Sequence, residues 1–140
     1  MKSEPLYQAE IALEIPFHDL DPAGYVWHGH YAKYLELARC ELLKQFDYNY
    51  DAMTRSGFLW PVVDLQMRFI KPLRFGDKVI VRAALEEWEY RLRIEYLIRS
   101  AADGQRLTKA STVQVAVNAS TGEMCLRSPD ILFERLGVPA

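Results

Sequence analysis

Along residues 7–17 the apolar side chains fall on every second position, at Ala9, Ile11, Leu13 and Ile15, which predicts a strand with one buried face. Pro16 marks its end or an edge position. Over residues 30–46 the period changes. Tyr31, Tyr34, Leu35, Ala38, Leu42 and Phe46 recur at helical spacing, with Lys33, Glu36, Glu41 and Lys44 among the positions between them. This predicts one amphipathic helix of roughly 25 Å. A turn-rich stretch with Asn49, Asp51 and Ser56-Gly57 follows, then β-like composition over residues 58–70 and a bend over residues 71–77. Three further β-like runs cover residues 78–87, 90–101 and 106–118. Ala102-Asp103-Gly104-Gln105 reads as a hairpin turn between the last two, because glycine takes positive φ cheaply. Ser128 as a cap and Pro129 at the first helical position predict a short helix over residues 129–136. One strand, one long helix and at least four more strands describe an α+β chain, with a single helix packed on one face of a curved antiparallel sheet.

Composition narrows the picture without changing it. A chain of 140 residues, 50% hydrophobic and 26% charged, buries a sizeable core and reads as one domain over residues 1–140 with no need of staples. The net charge of −2 supplies no basic field, which argues against nucleic acid as a partner. No run is long and apolar enough for a membrane span, and the first residues carry acids where a secretory signal has an apolar stretch. A soluble cytoplasmic protein is expected, with Cys40 and Cys125 as reduced, partly buried thiols.

Candidate chemistry concentrates in residues 18–39, where acids, histidines and a glycine turn come directly before the long helix. A loop carboxylate facing a helix start has two parts that acyl transfer needs: a base or nucleophile, and backbone N–H groups able to hold an oxyanion. Asp21 and His28 are the central pair. Pro22 biases Asp21 away from the helical region, which suits a loop carboxylate and equally suits a simple turn cap. His28 is able to act through its amide, through its ring, or as a polar helix-terminal residue. Gly24 supplies the turn between them. Tyr25, Trp27 and Tyr31 crowd the same loop, as core, as subunit interface or as the walls of an acyl pocket. Glu36 pairs by spacing with Arg39, and Asp64 lies in an apolar strand-like run. Both are reserve acids. Asp19, Asp21, His28 and His30 are suitable as metal ligands, but no ligand spacing supports a metal site.

The element order, together with Asp21-Pro22-Ala23-Gly24 and Phe69-Ile70-Lys71-Pro72-Leu73-Arg74-Phe75-Gly76-Asp77, resembles the hotdog-fold acyl-CoA thioesterases of the 4-hydroxybenzoyl-CoA thioesterase type over nearly the whole chain. The resemblance implies a hotdog fold, a long central helix on a curved antiparallel sheet of about five strands. In that family the second acid of an Asp-x-Asp segment is the catalytic carboxylate, which matches Asp21. A residue seven further on offers its amide to the thioester carbonyl, which matches His28. The run from Tyr34 to Arg39 also fits, whereas Phe17 stands where some members carry a tyrosine. The family further implies hydrolysis of a coenzyme A or carrier-protein thioester at a site between subunits of a homodimer or homotetramer, with no metal or redox cofactor. In another hotdog branch a helix acid is the catalyst, which keeps Glu36 in reserve. Two alternatives stay open: an enoyl-thioester hydratase or dehydratase, and a domain that binds acyl thioesters without turnover.

Overall fold

The computed structural model describes residues 4–140. Among the described residues, seven strands and three α-helices run in the order β1 (Gln8–Glu14), α1 (Tyr31–Lys44), α2 (Tyr50–Arg55), β2 (Phe58–Leu59), β3 (Val62–Phe69), β4 (Lys78–Glu87), β5 (Leu92–Ser100), β6 (Arg106–Gln114), β7 (Val117–Asn118) and α3 (Asp130–Leu136). Five strands form one antiparallel sheet in the order β1-β4-β5-β6-β3, so the first strand and the third are its two edges. The predicted sheet of about five strands under one long helix is therefore present.

The alternation that predicted β1 sends Ala9 and Ile15 into the core, with the even-numbered residues exposed. Helix α1 turns Tyr31, Tyr34, Leu35, Ala38, Leu42 and Leu43 inward, and it lies chiefly over β1 and β4. There Val79, Val81, Ala83 and Leu85 complete the packing. Farther across the same face Thr108, Thr112 and Gln114 on β6 are still buried, and the cover thins only at β3, which α1 reaches through Tyr31 on Phe69. Edge strand β3 is open on both sides: Asp64, Gln66 and Arg68 point away from α1, while Leu65 and Phe69 on the helix side remain 43% and 47% exposed.

Four local expectations change, one of them being that the run over residues 106–118 ends as β6 at Gln114 and resumes as β7 in a second sheet. The turn-rich stretch contains α2, whose first turn is capped by the Asn49 side chain accepting from the Ala52 N–H at 2.9 Å. The run over residues 58–70 is not one strand. It breaks at Trp60-Pro61, and its first two residues pair with β7 in a separate two-stranded sheet. Trp60 is held there, its indole N–H donating to Tyr48 Oη at 3.1 Å and its carbonyl accepting from Gln114 at 2.7 Å. Ser128 does not cap α3, because its hydroxyl donates to the Trp88 carbonyl at 2.6 Å, and Pro129 takes the N-cap place instead. The hairpin at Gly104 forms as expected, with φ at +74°.

Candidate active site

Residues 17–30 form a doubled-back loop that runs straight into α1. Leu20 bridges to Val26, and the Asp21 N–H donates to the Tyr25 carbonyl at 2.7 Å. The turn between them closes with the Gly24 N–H on the Asp21 carbonyl at 3.0 Å, at a φ of +85° that glycine adopts without strain. Asp21 Oδ1 accepts the Ala23 N–H at 2.8 Å, so the turn-capping role is real. It uses one oxygen only: Oδ2 takes no hydrogen bond from the described residues. A single 3-10 turn, His28–His30, then leads into α1. Its first N–H groups precede any helical carbonyl that could accept them, which makes this end a donor-rich spot.

The facing wall comes from far along the chain. The Val26 N–H donates to the Leu73 carbonyl at 2.9 Å, and Tyr31 Oη accepts the Leu73 N–H at 3.3 Å. Tyr31 also meets the Phe69 ring edge-on, with centroids 4.8 Å apart. Arg74 stacks its guanidinium over Tyr25 at 5.2 Å. The result is a cleft of about 270 Å³ lined by Asp21, Tyr25, Val26, His28, Tyr31 and residues 69–72. A half-buried carboxylate, a helix start and apolar aromatic walls thus share one small space, an arrangement fit for general-base or nucleophilic attack on a bound carbonyl.

The fold and this cleft are accompanied by a direct match: residues 15–133 fit the thioesterase-like superfamily. The chain belongs to that family. It is a hydrolase of the hotdog thioesterase class. YneP of Bacillus subtilis, provisionally named an acyl-CoA thioesterase, is 29% identical over 107 residues, covering 76% of this chain and 77% of YneP. The chloroplastic acyl-acyl carrier protein thioesterase ATL3 of Arabidopsis thaliana is 37% identical over 76 residues, which cover 54% of this chain and 40% of ATL3. Among solved structures, the DHNA-CoA thioesterase of Staphylococcus aureus superposes with a TM-score of 0.77 at 25% identity, covering 85% of this chain and 80% of that one.

In this thioesterase the cleft gathers Asp21, Tyr25, His28 and Tyr31, but not Gly24, Trp27, Glu36 or Asp64. Gly24 shapes the loop behind Asp21. Trp27 folds its indole over Gly29, between the rings of His28 and His30 at 5.3 Å each. A Cβ at position 29 would stand inside that indole, a constraint the sequence did not flag. Glu36 is held on α1 by Arg39 and by Tyr50, whose hydroxyl donates to it at 2.8 Å. Asp64 lies on the exposed edge strand, accepting from Gln66 at 3.2 Å. Among the described residues, no three His, Cys, Asp or Glu side chains gather as metal ligands would. Both cysteines are free, and burial pushes the Cys40 thiol up.

Sequence reasoning gave little weight to Asp19, the most buried acid. It is 1% exposed, with Oδ1 accepting from Lys33 Nζ at 2.8 Å and Oδ2 from Tyr34 Oη at 2.6 Å. Burial acts to raise its carboxyl, but these two donors outweigh it and hold the group below the usual carboxylate range. The same carboxylate and burial push the Tyr34 phenol well up. A second concavity, about 710 Å³, lies on the far side of the sheet and is lined by Arg68, Arg82, Glu95, Arg106 and Lys109 among others. The larger hollow holds none of the loop residues.

Proposed function

We propose that the protein hydrolyses an acyl thioester of coenzyme A or of an acyl carrier protein to free acid and thiol, in the manner of the 4-hydroxybenzoyl-CoA thioesterase type. The observation that carries this reading is the shared cleft: Asp21, with one oxygen free of hydrogen bonds from the described residues, and His28, the first residue of the 3-10 turn, line the same 270 Å³ space. Asp21 either takes a proton from the water that attacks the carbonyl carbon or attacks that carbon itself to give a mixed anhydride that water then opens. The His28 amide polarises the carbonyl oxygen, and the thiol leaves with a proton. Tyr25, Tyr31 and Phe69 offer the acyl group apolar and aromatic surface. Neither a metal nor a redox cofactor has a part in these steps.

The working unit is a homodimer, alone or paired into a tetramer, with β3 against the second copy. Supporting this is the character of that edge, where Val62, Val63, Leu65 and Phe69 are each more than 40% exposed on a strand that pairs with β6 along one side only. Phe69 belongs both to the edge and to the cleft, so the second copy borders the site.

The test is thiol release from short-chain, long-chain and aromatic acyl-CoAs, using wild type beside Asp21→Asn. Turnover by the wild type, reduced by about 100- to 10,000-fold in the folded variant, is the expected result. Hydration or simple binding releases no thiol, so its absence with every substrate overturns the reading.

A further inference from the structure

Two acids two residues apart in one loop meet opposite surroundings. Asp21 keeps an oxygen free at the cleft, whereas Asp19 is sealed away and has both oxygens occupied. Its two donors, Lys33 and Tyr34, stand on the first turn of α1. Its backbone carbonyl accepts the Trp27 N–H at 3.0 Å, immediately before the 3-10 turn that starts that helix. Asp19 therefore closes a ring: side chain to helix, helix back through His28 to Trp27, and Trp27 to the Asp19 carbonyl. Leu20, Asp21 and Val26 lie within the ring's loop, tied to one another by the Leu20–Val26 bridge.

A sealed carboxylate is unfavourable unless paired, and apolar packing could anchor the loop at less expense. What packing alone does not supply is a fixed direction. Charged hydrogen bonds at 2.6 and 2.8 Å set both distance and angle between loop and helix. The groups facing Asp19 are His18 at 3.7 Å and His30 at 4.0 Å, besides Lys33 and Tyr34, so polar groups meet it from loop and helix alike.

We propose that Asp19 is a positioning residue, which locks the catalytic loop to the start of α1 and so holds the Asp21 carboxylate in register with the His28 and Gly29 amides. This rests on the thioesterase reading above for its kinetic consequence, but not for its structural one. Small misplacements of a catalytic group are costly even when binding survives.

The experiment compares Asp19→Asn with Tyr34→Phe, with Asp21→Asn and with Leu132→Ala, a core truncation on α3, each assayed well below its own melting temperature. Amide hydrogen exchange is measured in parallel. For Asp19→Asn the expected kcat is about 10- to 100-fold lower with KM changed less than about threefold, because positioning acts in the transition state. Exchange at the Asp21, Gly24 and Trp27 amides rises about tenfold or more, while β5 amides keep their protection. Tyr34→Phe gives a smaller shift of the same kind and serves if Asp19→Asn does not fold. Unchanged exchange in the loop overturns the proposal whatever happens to activity, and so does a kcat loss that Leu132→Ala reproduces. If Asp21→Asn retains full turnover, the Asp21 mechanism fails, and the exchange data still decide the role of Asp19.

Discussion

The two halves of the sheet face beneath α1 differ in what they are made to do. Over β1 and β4 the helix seals the surface: Leu35, Ala38, Leu42, Val79, Val81 and Leu85 are all at or below 2% exposure. Toward β3 the same face is left open, and there lie Leu65 and Phe69, the latter forming part of the cleft wall. The covered half has the density of an interior and carries stability. The open half leaves apolar side chains partly in solvent. The proposed site lies where the core stops.

Substitutions sharpen that contrast in descending order of effect. Leu42→Ala, in the covered half, is expected to lower unfolding free energy by about 2–5 kcal/mol, read from denaturant melts. Leu65→Lys, in the open half, is expected to weaken self-association by about tenfold or more in light scattering, since a charge on an edge strand opposes pairing. Its effect on the stability of the isolated chain stays below about 1 kcal/mol. Asp19 sits at the boundary and yields a pH signature. Its carboxyl titrates below the usual range in the folded state, so its stabilisation is present above the unfolded value of about 3.9 and is lost as pH falls through the lower folded value. The stability gap between wild type and Asp19→Asn should therefore be constant near neutrality and shrink only below about pH 4. Asp64→Asn, on the outward side of the open edge, is expected to shift stability by no more than about 0.5 kcal/mol. A large loss there would mean that the outer face is also engaged.

How much of this was legible in the sequence follows from the range of the forces involved. Helix α1 was plain because its apolar stripe is read locally, one turn at a time. Helix α2 was not, since of its six residues only Met53 is buried and no stripe can form, although Asn49 three residues before Ala52 was a capping signal open to reading. Ser128 misled because a distant carbonyl, that of Trp88, outcompetes the local amide for its hydroxyl. Asp21 and His28 could be paired as candidates because loop and helix start are consecutive in the chain. The opposite wall, residues 69–72, reaches them only through tertiary hydrogen bonds from Leu73. Asp19 and Asp21 look alike as letters, and only the partners Lys33 and Tyr34 set the buried Asp19 apart from the half-buried Asp21.

The bend that supplies this wall is itself pinned to the end of β1, with the Ile15 N–H on the Asp77 carbonyl at 2.9 Å and the Gly76 N–H on the Ile15 carbonyl at 3.0 Å. Each contact spans some sixty residues of chain, so the loop and α1 can form early yet enclose nothing until β3 and β4 have docked. In refolding, helical signal should rise first and turnover last, and a chain cut short before residue 69 would carry Asp21 and His28 without the cleft that gives them work.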